Sequence, residues 1–216
     1  MKKESVKNKK ARALRLIKGL DALYGAGDCT LEFTDPLQLL ISTQLAAQCT
    51  DERVNTVTKT LFPKYPAAAD FAGADILELE EAIKPTGFFH IKARNIVNCC
   101  KMLTEVYGGA VPGTMEELLK LPGVGRKTAN LVLGDAFGVA GVVVDTHAGR
   151  LARRMGLTAD KDPEKVEYDL MKIIPRDNWT NFGHQLVWHG RAVCKARKPD
   201  CAACTLAPDC PAAGVT

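Results

Sequence analysis

Long apolar runs are missing from this chain. Nowhere do eighteen consecutive residues stay apolar, whereas a bilayer-spanning helix needs about 20, so no membrane span is expected. The opening residues Met1-Lys-Lys-Glu-Ser-Val-Lys-Asn-Lys-Lys lack the apolar stretch that directs export. The expected location is therefore the reducing cytoplasm. Aromatic residues make up only 6% of the 216 positions, too few for a core built on large rings. Strand signals are equally thin, since Val142-Val143-Val144 is short and stands alone. Internal repeats and low-complexity linkers are absent as well. What remains is a chain rich in Ala, Leu and Val, the apolar complement of closely packed helices, and long enough for one domain or two small ones.

Charge is nearly balanced at +4 but unevenly placed. Residues 1–18 hold eight Lys or Arg against Glu4 alone, and the remainder is slightly acidic. A basic arm of this kind meets polyanions or simply solubilises the chain, and by itself decides nothing. Helical signals follow one another. Leu14, Ile17, Leu20 and Leu23 recur at helical spacing before Gly25. Asp35-Pro36 predicts a capped helix to about Gln48, and Thr50-Asp51 another ending before Pro63. Further helices are predicted near 76–83, 92–107, 118–121, 127–137, 147–155, 163–174 and 180–194, with a capping box at Thr114-x-x-Glu117. The fold class is all-α.

Cys194, Cys201, Cys204 and Cys210 form a C-x6-C-x2-C-x5-C ladder near the end of the chain. Four thiolates crowded into one loop repel unless a cation or an oxidant joins them. In a reducing compartment, metal binding is favoured over disulfides. The spacing leaves a [4Fe–4S] cluster ahead of a Zn(Cys)4 site, because only Cys201 and Cys204 make the short knuckle zinc sites usually repeat. Cys29, Cys49, Cys99 and Cys100 read as small buried hydrophobes.

Leu121-Pro-Gly-Val-Gly-Arg-Lys-Thr-Ala129 sits between two predicted helices. Gly123 and Gly125 permit a turn whose amides approach an anion closely, and the following helix adds its positive end. A bare G-x-G is more often a tight connection; the whole string is more specific. Lys127 falls in the first turn of that helix, where a cation is poorly placed and loss of its proton is eased. Asp145 follows the valine run as a helix N-cap candidate. An amine and a carboxylate beside a phosphate-binding turn suit attack on a sugar carbon.

The Leu121–Ala129 string, Val144-Asp-Thr-His147 and the cysteine ladder, in this order, resemble the endonuclease III family of DNA glycosylases, over roughly residues 12–212. The resemblance implies a six-helix domain with a helix-hairpin-helix at 29–139. It implies a second domain of 1–28 with 140–216 that holds a [4Fe–4S] cluster on the four cysteines, and a DNA groove between them. Carried over by position, Lys127 resembles the Schiff-base lysine and Asp145 the catalytic aspartate. Gln48 resembles the glutamine that fills the gap left by an everted nucleotide. Phe88 stands where an apolar wedge is found, with a core phenylalanine as the plainer alternative. Lys195 and Lys198, between the first two cluster cysteines, form a basic loop for phosphates. His90 and Ala148-Gly149 depart from the family's usual residues. The implied activity is removal of damaged, oxidised pyrimidines from double-stranded DNA through a lysine imine, followed by β-elimination at the abasic site, by a nucleoid-associated bacterial monomer. The alternatives are a monofunctional adenine or mismatch glycosylase of the same superfamily, which lacks the lysine, and a non-enzymatic iron–sulfur or zinc DNA-binding module. Trp179 and Trp188 are expected to pack rather than stack on bases.

Overall fold

A computed structural model describes residues 4–214, so Lys2 and Lys3 of the basic arm and the last two residues lie outside it. Among the described residues the chain is helical with no strand, and no helix is long and apolar enough to cross a membrane. It divides into two compact units, one of residues 1–28 with 140–216 and one of Cys29–Val139.

The Cys29–Val139 unit holds α2 (Pro36–Leu45), α3 (Asp51–Lys64), α4 (Ala68–Ala72), α5 (Ile76–Ile83), α6 (Phe89–Tyr107), α7 (Met115–Leu118) and α8 (Arg126–Phe137). Asp35, Thr50, Asp75 and Thr114 each cap the helix that follows through a side-chain oxygen, a contribution of about 1 kcal/mol apiece. The core comprises Leu39, Leu40, Ile41, Val54, Leu61, Phe71, Leu79, Ile83, Ile96 and Leu103, with Ala129 and Val132 of α8 closing it. Cys99 and Cys100 are fully buried within it, and burial raises the Cys99 thiol to about 11 and pushes the Cys100 thiol higher still. They behave as the apolar residues expected. Cys29 and Cys49 pack at the edge of the same core.

The other unit is assembled from both ends of the chain. It contains α1 (Val6–Tyr24), α9 (Thr146–Arg154), α10 (Pro163–Ile173) and α11 (Trp179–Ala192). Ala13, Leu16, Ile17 and Leu20 form the buried face of α1, while Leu14 and Leu23 are about two-fifths exposed. The predicted stripe is thus rotated, because Ala13 and Leu16 share a face with Ile17 and Leu20. Val142 and Val144 are buried in this core without pairing as a strand, beside Leu151, Leu170, Phe182 and Leu186. Trp179 packs against the same core and donates its indole N–H to the Ile174 carbonyl at 2.9 Å. Trp188 meets Tyr24 edge-on, with ring centroids 6.1 Å apart.

Several boundaries differ from the sequence reading; α7, at Met115–Leu118, lies three residues earlier than the helix expected at 118–121. Helix α2 stops at Leu45, three residues before Gln48. Pro63 lies inside α3 rather than after it, in the last turn, where little of the helical ladder remains to be broken. α6 begins at Phe89 rather than Lys92.

Candidate functional site

The 121–129 turn is built by close packing at one glycine and openness at the other. Gly123 has φ +77°, and a Cβ there would lie 2.9 Å from Gln44 Oε1 and 3.0 Å from Asn95 Cβ. Gln44 also donates to the Pro122 carbonyl at 3.4 Å, pressing the turn against α2. Leu121 and Val124 are buried and anchor it from below. Gly125 is extended, at φ −100°, and forms the N-cap of α8 without any side-chain cap. A Cβ at Gly125 would meet nothing within 4 Å. The first amides of α8 are therefore the uncapped positive end of a twelve-residue helix bordered by open space, the arrangement that receives an anion. Lys127 is exposed in that first turn, while Ala129 and Asn130 are buried and hold the helix down.

Gln48 and Phe88 meet at a cavity of about 270 Å³ that Gly123, Thr128, Gln44, Lys92 and Asn95 also line. Both rim residues are in the left-handed region, at φ 54° and 49°, which costs a residue with a side chain about 1–2 kcal/mol. Phe88 is 61% exposed, which removes the core reading of that residue; its neighbour Phe89 supplies the packing instead. His90 is bonded to Glu80 at 2.7 Å, an engagement outside the cavity lining.

Asp145 belongs to the other unit, directly after the buried valines. It caps α9, accepting from the Ala148 amide at 2.7 Å through Oδ1, and is half-buried. Ala148 and Gly149 are buried where they enter α9. Lys127 and Asp145 are thus each positioned at the first turn of a helix, one in each unit.

Cys194, Cys201, Cys204 and Cys210 are free thiols that all line one cavity of about 80 Å³ with Arg154, His189 and Leu206. Burial pushes the Cys204 and Cys210 thiols up, and the neighbouring cysteines add to this. Four thiolates there require a compensating cation. No three His, Cys, Asp or Glu groups among the described residues converge as a site for a single ion. The surroundings offer donors to sulfur. Arg154 Nη1 lies 3.3 Å from Cys194 Sγ and donates to the Lys195 carbonyl at 2.7 Å, while Nη2 donates to the Ala196 carbonyl at 2.9 Å. His189 Nε2 lies 3.4 Å from Cys204 Sγ, and its Nδ1 meets the Tyr24 hydroxyl at 2.9 Å. Arg150 donates to the carbonyls of Gly190 and Cys194 at 3.1 Å each. Lys195 and Lys198 are exposed on the loop so held, Lys198 at φ 52°.

Sequence reasoning missed Arg150, Arg154, His189 and Lys92. For the two arginines a signal existed: an i, i+4 pair on the helix that Asp145 opens shares one face. For His189 and Lys92 none did.

A family model described as HhH-GPD superfamily base excision DNA repair protein matches residues 41–176. The chain is 54% identical over 207 residues to an endonuclease III of Synechocystis sp., covering 95% of this chain and 94% of that one. Among solved structures, a non-covalent endonuclease III–DNA complex matches with TM-score 0.90 and 42% identity, covering 94% of this chain and 96% of that one. A trapped endonuclease III–DNA covalent intermediate, an estranged-adenine complex, matches with the same TM-score of 0.90, identity of 42% and coverage.

Proposed function

Because this chain belongs to the endonuclease III family of the HhH-GPD superfamily of base excision DNA repair proteins, we propose that it is a DNA glycosylase with abasic-site lyase activity. Its substrates are oxidised pyrimidines in double-stranded DNA, its nucleophile is Lys127, and its carboxylate is Asp145. The observation that carries this reading is the open, uncapped N-terminus of α8 at Gly125 with Lys127 in its first turn. The covalent endonuclease III–DNA intermediate captured in a similar structure supports it.

A stacked base shields its sugar carbon, so the damaged nucleotide must leave the helix before chemistry. Amides at the start of α8 hold a backbone phosphate, and Gln48 and Phe88 occupy the vacated stack. The neutral Lys127 amine attacks C1′; the glycosidic bond breaks and its electron pair leaves with the base, which takes up a proton. Asp145 lowers the energy of the cationic sugar and accepts the proton that the lysine nitrogen loses. The C1′–O4′ bond then opens, O4′ keeping the electron pair and taking up a proton while the nitrogen lone pair forms the C=N bond. The resulting protonated imine acidifies the C2′ hydrogen. Loss of that proton drives cleavage of the C3′–O bond, and the strand breaks on the 3′ side.

Cys194, Cys201, Cys204 and Cys210 fit a [4Fe–4S] cluster. They are four free thiols on one cavity, their charge needs compensation, and cationic or N–H donors approach two of the sulfurs. Such a cluster, when bound, would supply the cross-link that ties the 194–210 loop together. Lys195 and Lys198, on that loop, then face phosphates.

Borohydride added during turnover on DNA containing an oxidised pyrimidine should leave the protein covalently joined to the strand. Lys127→Gln should abolish the adduct and most base release while retaining DNA binding. Clean base release without an adduct in the native protein would favour the monofunctional reading. Neither release nor an adduct would favour the non-enzymatic one.

A further inference from the structure

Lys92 is only 5% exposed, yet among the described residues no carboxylate accounts for its burial. Its Nζ donates to the Leu45 carbonyl at 2.7 Å and to the Thr86 carbonyl at 2.8 Å. Leu45 ends α2, whose last carbonyls have no intrahelical partner and form the negative end of the helix. Thr86 ends the short 3-10 turn Lys84–Thr86 that precedes Gly87 and Phe88. The two acceptors therefore lie three residues before Gln48 and two before Phe88, the two left-handed non-glycine residues on the cavity rim. One ammonium bridges the two segments that carry them.

We propose that Lys92 is a positioning residue whose buried ammonium clamps the Gln48 turn to the Phe88 turn and so holds both side chains ready to enter an opened base stack. This rests on the DNA glycosylase reading above. Left-handed backbone at residues with side chains persists only where the surroundings over-determine it, and a charge-assisted bond to each segment is such a constraint. Burial pushes the Lys92 ammonium below its ordinary range, a cost that an apolar residue at this position would avoid. A methionine would instead strand two carbonyls and leave the two turns untied.

The test compares a damaged pyrimidine in duplex DNA with an abasic site in single-stranded DNA, where no stack has to be filled. Lys92→Met removes the clamp at similar side-chain length. Lys92→Gln, a gentler change should the methionine variant fold poorly, keeps one donor group on a shorter arm. Single-turnover base release from the duplex should fall at least tenfold for Met and less for Gln. β-Elimination on the single strand should change by no more than twofold in either. A 2-aminopurine opposite the lesion should lose the fluorescence rise that accompanies insertion in the native protein. Equal slowing on both substrates, or an unchanged duplex rate, overturns the clamp while the native protein still forms its borohydride adduct. If the native protein forms no adduct at all, the glycosylase reading fails and the clamp falls with it.

Discussion

Asp145 caps a helix and is proposed to serve the chemistry, two tasks that substitution can separate. Its Oδ1 caps α9, and its charge is assigned to the developing cation at the sugar. Asparagine caps a helix about as well as aspartate, whereas alanine forfeits about 1 kcal/mol. Asp145→Asn should therefore melt like the native protein and still slow turnover by on the order of 10²-fold, since a charge aimed at the transition state is gone. Asp145→Ala should show the same catalytic loss together with a lower melting temperature. Thermal melts alongside single-turnover rates check both, and a fast Asn variant would assign the carboxylate to the helix alone. The cap was readable here because it is a local property of one position. The placement of Phe88 was not: two adjacent phenylalanines look alike in sequence, and only packing assigns Phe89 inward and Phe88 outward.

Among the elements, the two glycines of the 121–129 turn should respond in opposite ways. Gly123→Ala puts a Cβ 2.9 Å from Gln44 Oε1 in a left-handed backbone, so it should destabilise the fold by about 1–2 kcal/mol from conformation alone, read by denaturant unfolding. Gly125→Ala has open space and an ordinary φ. Its stability should hold while its affinity for DNA falls, because the added methyl would intrude on the phosphate site proposed there. The basic loop should act differently again. Lys195→Glu or Lys198→Glu should weaken binding across sequences and flatten its dependence on salt, without changing the lesion chosen. Binding titrations at several salt concentrations check this, and a changed lesion preference would remove the loop from the phosphate contacts. Caps at Asp35, Thr50 and Thr114 were legible because a cap is a contact between near neighbours. α4 was not: its five residues, Ala68–Ala72, are too short for a periodic stripe, and it forms by packing on α6.

For the whole molecule, the sharpest expectation concerns metal. The purified protein should be yellow-brown and contain about four irons per chain if the cysteines hold a single cubane. A colourless, folded protein with one zinc would replace that reading. Cys194→Ser, or removal of iron by chelation, should speed amide hydrogen exchange across 193–214. Exchange in α2 and α6 should change little, because their core lies wholly within Cys29–Val139.

The helical class, the cysteine ladder and the glycine turn with its lysine were determined by the sequence alone. Each depends on spacing within a few residues, where covalent connection already restricts what the chain can do. The tertiary structure alone decided which side chains those motifs meet. Lys92 reaches a carbonyl 47 positions away, and His189 meets Tyr24 across 165. It likewise decided that Gln48 leaves the helix for a left-handed turn and that Arg154 lies against the Cys194 sulfur. Such contacts follow from how buried surfaces fit and from where buried polar groups find partners, and neither is written in any local stretch of the chain.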